Sequence, residues 1–104
     1  MDAPFSAKAA LLQALISGPG YGLDLIDRVE KQTQGRLALG QGSVYPALRD
    51  LEREGFLASY DGDALAERGG RPRRYYRLTA QGQLAARQNR EAAAGLFGLA
   101  LVGV

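Results

Sequence analysis

Apolar and polar positions alternate along the chain with helical and then strand periods. From about Phe5 to Ile16, the residues Phe5, Ala9, Leu12, Leu15 and Ile16 return on one helical face, and Leu11 widens that stripe. Ser6 stands where an N-cap belongs. A stripe this wide predicts contacts on two sides, a core and a partner subunit. Ser17-Gly18-Pro19-Gly20 breaks the helix. The glycines of Gly18-Pro19-Gly20-Tyr21-Gly22 lack the Gly-Lys-Ser/Thr and the preceding strand of a phosphate loop, so they read as a tight turn. A second helix fits Tyr21 to Gln34, with Leu23, Ile26 and Val29 on its buried face and Leu25 beside them. Asp24, Asp27, Arg28, Glu30 and Lys31 fall outside, and Gly35 ends it.

A third helix fits Ser43 to Glu54, where Val44, Leu48 and Leu51 repeat at helical spacing with Ala47 alongside. Pro46 is tolerated in a first turn, which puts the N-cap near Gly42 or Ser43. The period then changes to two. Phe56 to Tyr60 reads as one strand and Arg73 to Leu78 as another, with Tyr76 and Leu78 on one face and Tyr75 and Arg77 on the other. Asp61 to Pro72 forms the tip between them. Thr79 caps a last helix running toward Leu96 or beyond. Three short helices, a two-stranded ribbon and a final helix make a mainly α fold with a small β-ribbon: a winged helix-turn-helix over 1–78 and a C-terminal dimerisation helix over 79–104.

Composition narrows the chemistry. At 104 residues the chain is one small domain's length, and its 46% hydrophobic content is that of a folded protein. It has no cysteine and no histidine. Thiolate metal sites and the commonest general base are thereby removed. Ser6, Ser17, Ser43 and Ser59 have no histidine to activate them. We expect no enzyme, no cofactor and no metal. No apolar run is long enough to span a bilayer, and Met1-Asp2-Ala3-Pro4 does not resemble a signal peptide, so a cytoplasmic protein is expected.

The net charge is only +2, but its distribution is uneven. Five arginines and no acid lie between Arg68 and Arg77. Guanidinium groups make bidentate contacts to phosphate and to guanine edges. Arg68, Arg71, Arg73 and Arg74 flank a tip containing Gly69 and Gly70, where the backbone can approach a groove closely. Alone, such a run is an ordinary solvated loop. The third helix just before it changes that reading. Its apolar face anchors in the core, while Gln41, Gly42 and Ser43 sit at its N-terminal end. Pro46, Arg49 and Arg53 face outward and Tyr45 lies on the flank. This is the arrangement of a recognition helix.

Three blocks resemble the PadR family of transcriptional regulators. Gly18-Pro19-Gly20-Tyr21-Gly22-Leu23-Asp24-Leu25 resembles the family's small-residue turn into helix two. Gly42 to Leu57, with Tyr45-Pro46 at its heart, resembles the recognition segment. Gly70-Arg71-Pro72-Arg73-Arg74-Tyr75-Tyr76-Arg77-Leu78-Thr79-Ala80-Gln81-Gly82 resembles the wing, ending in Tyr-x-Leu-Thr-x-x-Gly. Order and spacing match over roughly residues 8 to 85. The resemblance implies a homodimeric repressor, often released from DNA by a small molecule or stress signal. It implies DNA contacts from Ser43 and Tyr45 and, in the wing, from Arg71, Arg73 and Arg74. The DNA-facing set expected here is thus Gln41, Ser43, Tyr45, Arg49, Arg71, Arg73 and Arg74. The chain looks like the compact subfamily with one C-terminal helix, but it has no tryptophan. The aromatic-drug site that some compact members build from tryptophans is therefore not carried over.

On the last helix Leu84, Ala92, Leu96 and Leu99 lie near one stripe, with Ala85, Gly95 and Phe97 beside it. An apolar stripe of this kind calls for burial against a partner. The expected dimer interface is Leu11, Leu15, Leu84, Ala92, Leu96 and Leu99. Two subunits would then set two recognition helices about 34 Å apart, one turn of DNA, to read a pseudo-palindromic duplex. The competing reading is a winged-helix module that binds another protein and no DNA.

Overall fold

The structure, a computed structural model, describes residues 6–62 and 72–90. Helix α1 runs Ala7–Ala14 and continues as a 3-10 turn, Leu15–Ser17. A short strand β1, Gly20–Tyr21, leads into α2, Gly22–Gln32. Helix α3 spans Gln41–Arg53. Strands β2, Leu57–Asp61, and β3, Arg74–Leu78, follow, and α4 is Ala80–Gln88. This is the winged helix expected from the periodicities, with one addition. Gly20 and Tyr21 pair with Tyr76 and Tyr75, so the ribbon is a three-stranded antiparallel sheet in the order β1-β3-β2.

Local chemistry sets the ends. The Ser6 hydroxyl accepts from the Ala9 N–H at 3.2 Å, and the Thr79 hydroxyl accepts from the Gly82 N–H at 3.0 Å. Both caps fall where they were expected, each satisfying an N–H that has no helical partner. At the end of α2 the Gly35 N–H reaches back to the Glu30 carbonyl at 2.8 Å with φ +78°, a left-handed helix stop that favours glycine. Helix α3 starts two residues earlier than expected, with Gly40 as N-cap. Pro46 therefore sits in the second turn. The carbonyl deprived of its donor belongs to Gly42, which is exposed, so water can satisfy it.

Helix α1 is the centre of the molecule, packed by α2, α3 and α4. Ala10, Leu11, Leu12, Gln13, Ala14 and Leu15 are all buried, which covers every side of the helix. The wide stripe is thus explained within one chain. Leu11 and Leu15, assigned above to a subunit interface, are 0% and 3% exposed and belong to the core. Val44, Ala47, Leu48 and Leu51 of α3 are buried as the pattern predicts. On α2 the core stripe is Gly22, Leu25, Val29 and Thr33, whereas Leu23, expected inside, is 54% exposed. Leu23 instead lines a cleft with Tyr21 and Tyr45.

Four polar side chains join the elements. The Arg28 guanidinium, expected on an outer face, turns back under the loop. It donates to the carbonyls of Ala14, Gly18 and Pro19 at 3.2, 2.7 and 2.9 Å, and to the Asp24 carboxylate at 2.7 Å. Gln13 donates through Nε2 to the Ala86 carbonyl at 2.5 Å and so ties α1 to α4. The buried Thr33 hydroxyl donates to the Val29 carbonyl at 2.8 Å and accepts from the Leu37 N–H at 3.2 Å. The Lys8 ammonium bonds the Glu54 carboxylate at 3.0 Å with Asp50 beyond it, linking α1 to α3, and these partners raise its pKa above the ordinary 10.5.

Candidate nucleic-acid interface

Helix α3 presents two faces. Its apolar residues enter the core, and Gln41, Gly42, Ser43, Pro46, Arg49 and Arg53 are exposed. The first turn carries no acidic residue, and Gly40 supplies no capping side chain. The positive end of the helix therefore opens to solvent, ready for a polyanion. Arg53 is held by Asp50. Arg49 is exposed and has no acidic partner among the described residues.

Tyr45 lies half-buried at the flank of α3 because α2 begins with a glycine. A Cβ on Gly22 would run into the Tyr45 ring, so the ring lies directly against the α2 backbone. The same cleft, of about 300 Å³, is lined by Tyr21, Gly22, Leu23, Tyr45, Arg73, Arg74 and Tyr76. The sheet pairing produces this convergence. Because β1 pairs with β3, Tyr21 is brought beside the base of the wing, and the Arg73 guanidinium lies over the Tyr21 ring at 4.4 Å from its centre. Cation–π contact holds the charge in place while leaving its N–H groups free for other acceptors. Arg74 is steered differently. It extends toward Glu52 of α3 at 3.8 Å, and Glu52 also accepts from the Ser59 hydroxyl. Glu52 thereby links the third helix to both long strands.

A row of tyrosines stiffens the ribbon. Tyr21, Tyr75 and Tyr60 are directly opposed on β1, β3 and β2. The Tyr21 and Tyr75 rings meet edge to face at 5.4 Å, and Tyr75 and Tyr60 stack at 5.7 Å. Such aromatic cross-strand pairs stabilise short sheets beyond the area they bury.

Of the expected DNA-facing residues, Tyr45, Arg73 and Arg74 line one cleft, and Gln41, Ser43 and Arg49 are exposed along α3. Arg71 lies outside the described residues, as does the rest of the tip from Asp63 to Gly70. The sequence reading missed Tyr21, Gly22 and Glu52. The only signal for Tyr21 was its alternation with Gly20 and Gly22, too short a run to announce a strand. For the second expected surface, Leu84 is 50% exposed on α4. Ala92, Leu96 and Leu99 lie outside the described residues. Ile16, within the 3-10 turn, is also exposed and lines a groove with Gln83 and Arg87 of α4. Among the described residues no helix is long and apolar enough to cross a membrane, and no cluster of acidic, histidine or cysteine side chains is arranged to hold a metal.

Comparison with known proteins matches this architecture. A family model described as the transcriptional regulator PadR-like family matches residues 11–88. A transcriptional regulator from Clostridium thermocellum superposes with a TM-score of 0.70 at 27% identity, covering 83% of this chain and 78% of that one. The circadian clock associated protein Pex from Anabaena superposes at 0.66 with 27% identity, covering 85% and 76%. Bacillus subtilis PadR in complex with operator DNA shares the fold at 0.68 with 22% identity, covering 78% of this chain and 43% of that one. Comparison with functionally curated proteins gives no match. The matched segment runs from the core of α1 to the last residue of α4 and takes in every element between them, so the chain belongs to the transcriptional regulator PadR-like family, a family of regulators and not of enzymes.

Proposed function

We propose that the protein is a cytoplasmic, homodimeric repressor that binds a pseudo-palindromic operator through α3 and the wing. The observation that carries this reading is the cleft in which Tyr45 of α3 meets Arg73 and Arg74 of the wing, beside an α3 N-terminus without acids. One phosphate strand crossing that cleft would meet two guanidinium groups, one held by an aromatic ring and one by Glu52. Gln41, Ser43 and Arg49 then project from the exposed side of α3 toward base edges. The B. subtilis PadR complex with operator DNA supports this docking by shared fold.

The test is genomic footprinting with the purified protein. The expected result is a protected duplex near the protein's own promoter, with two half-sites about one helical turn apart. Ser43→Ala should change the base preference within a half-site more than the overall affinity. Failure to retain any genomic fragment, with a protein recovered in its place, would instead identify a protein-interaction module.

A further inference from the structure

A second described groove shares no lining residue with the α3 cleft. It measures about 490 Å³ and is lined by Leu15, Ile16, Gly18, Pro19, Leu78, Gln83, Arg87 and Arg90. Its chemistry is divided. Leu15, Ile16, Pro19 and Leu78 supply an aliphatic floor without an aromatic ring. Gln83 and Arg87 lie one turn apart on α4 and Arg90 follows just past its end, so they supply the groove's polar side chains. Both guanidinium groups are exposed, and neither has an acidic partner among the described residues. The size falls within the range of small-molecule sites, which combine apolar walls with a few placed polar groups.

We propose that this groove binds a small aliphatic carboxylate, its hydrocarbon on the Leu15, Ile16, Pro19 and Leu78 floor and its headgroup on Arg87 and Arg90. The planar guanidinium fork suits a carboxylate, through two parallel charge-assisted hydrogen bonds. An aliphatic tail gains from covering Ile16, which is 48% exposed. The groove is also placed to matter. It bridges α4 to the turn before β1 and to Leu78 at the end of β3, the two strands that hold Tyr21 and the wing. An occupant therefore biases how α4 meets the winged unit. As a regulatory site this rests on the repressor reading; as a binding site it does not.

The experiment measures binding by calorimetry to the full-length protein, without DNA, for butyrate, hexanoate and octanoate, with 1-octanol as the neutral control. Affinity should rise about threefold or more per added methylene, as burial of hydrocarbon requires. Octanoate should bind at least tenfold more tightly than octanol. Arg87→Gln and Arg90→Gln should erase that preference while leaving octanol binding and thermal midpoint unchanged. Methyl resonances of Ile16 and Leu78 should shift on addition of octanoate. No heat and no shift at those methyls would overturn the site. Equal binding of octanoate and octanol, or arginine variants that bind octanoate like the wild type, would overturn the carboxylate assignment. Because no duplex is present, each result is read independently of whether the protein represses.

Discussion

A Cβ placed on Gly82 would overlap the carbonyl oxygen of Phe56, which also accepts from the Thr79 N–H at 3.1 Å. Two backbones touch there, and neither has a flexible side chain that can give way. Gly82→Ala should therefore destabilise the fold by about 1–3 kcal/mol, the usual range for overpacking a tight contact, read as a lower urea midpoint. An unchanged midpoint would mean that α4 can lift off the end of β2 freely. At this scale the sequence disclosed the caps and hid the buried polar bridges. Ser6 and Thr79 act on N–H groups three residues away, which local spacing reveals. Arg28 reaches carbonyls nine to fourteen residues back, and Gln13 reaches Ala86. A helical wheel assigns each residue a side of its own helix and says nothing of what curls over that side.

Among the elements, the sheet is where pattern and structure diverge. Strands β2 and β3 were legible because each runs over five residues on either side of a tip rich in glycine and arginine. Strand β1 has two residues, fewer than one repeat can establish, and it exists because β3 offers an unpaired edge. Its arrival completes the row of Tyr21, Tyr75 and Tyr60 and sets the ring on which Arg73 lies. Tyr75 is the middle ring of that row and lines no part of the cleft, so it acts on Arg73 through Tyr21. Tyr75→Ala should weaken duplex binding several-fold on every sequence, in gel-shift or anisotropy titrations, with little change in helical circular dichroism. Tyr75→Phe keeps the ring and should restore binding. If alanine binds as well as phenylalanine, the row does not position the arginine. The early start of α3 has a comparable origin. Pro46 pointed to a first turn, but exposure of Gly42 removes most of the cost of a second-turn proline.

On the scale of the whole molecule, the helix that was read as facing both core and partner is wrapped by its own chain. Periodicity reports how many sides of α1 are covered and cannot report whose atoms cover them. With Leu11 and Leu15 in the core, Leu84 on α4 is the residue of the expected interface that is exposed among the described ones. Leu84→Glu should shift the protein toward monomer in sedimentation velocity, by tenfold or more in the dimer constant, and should lower operator affinity in parallel. A variant that remains dimeric would place the subunit contact elsewhere. The guanidinium pair at the mouth of the α3 cleft bears most directly on how the molecule meets DNA. That pair is tested by duplex affinity measured from about 50 to 200 mM salt for the wild type and for Arg73→Ala/Arg74→Ala. Loss of two phosphate contacts should weaken binding at all salts and flatten the log–log slope by about two. A double variant with wild-type affinity and slope would show that the polyanion does not cross this cleft.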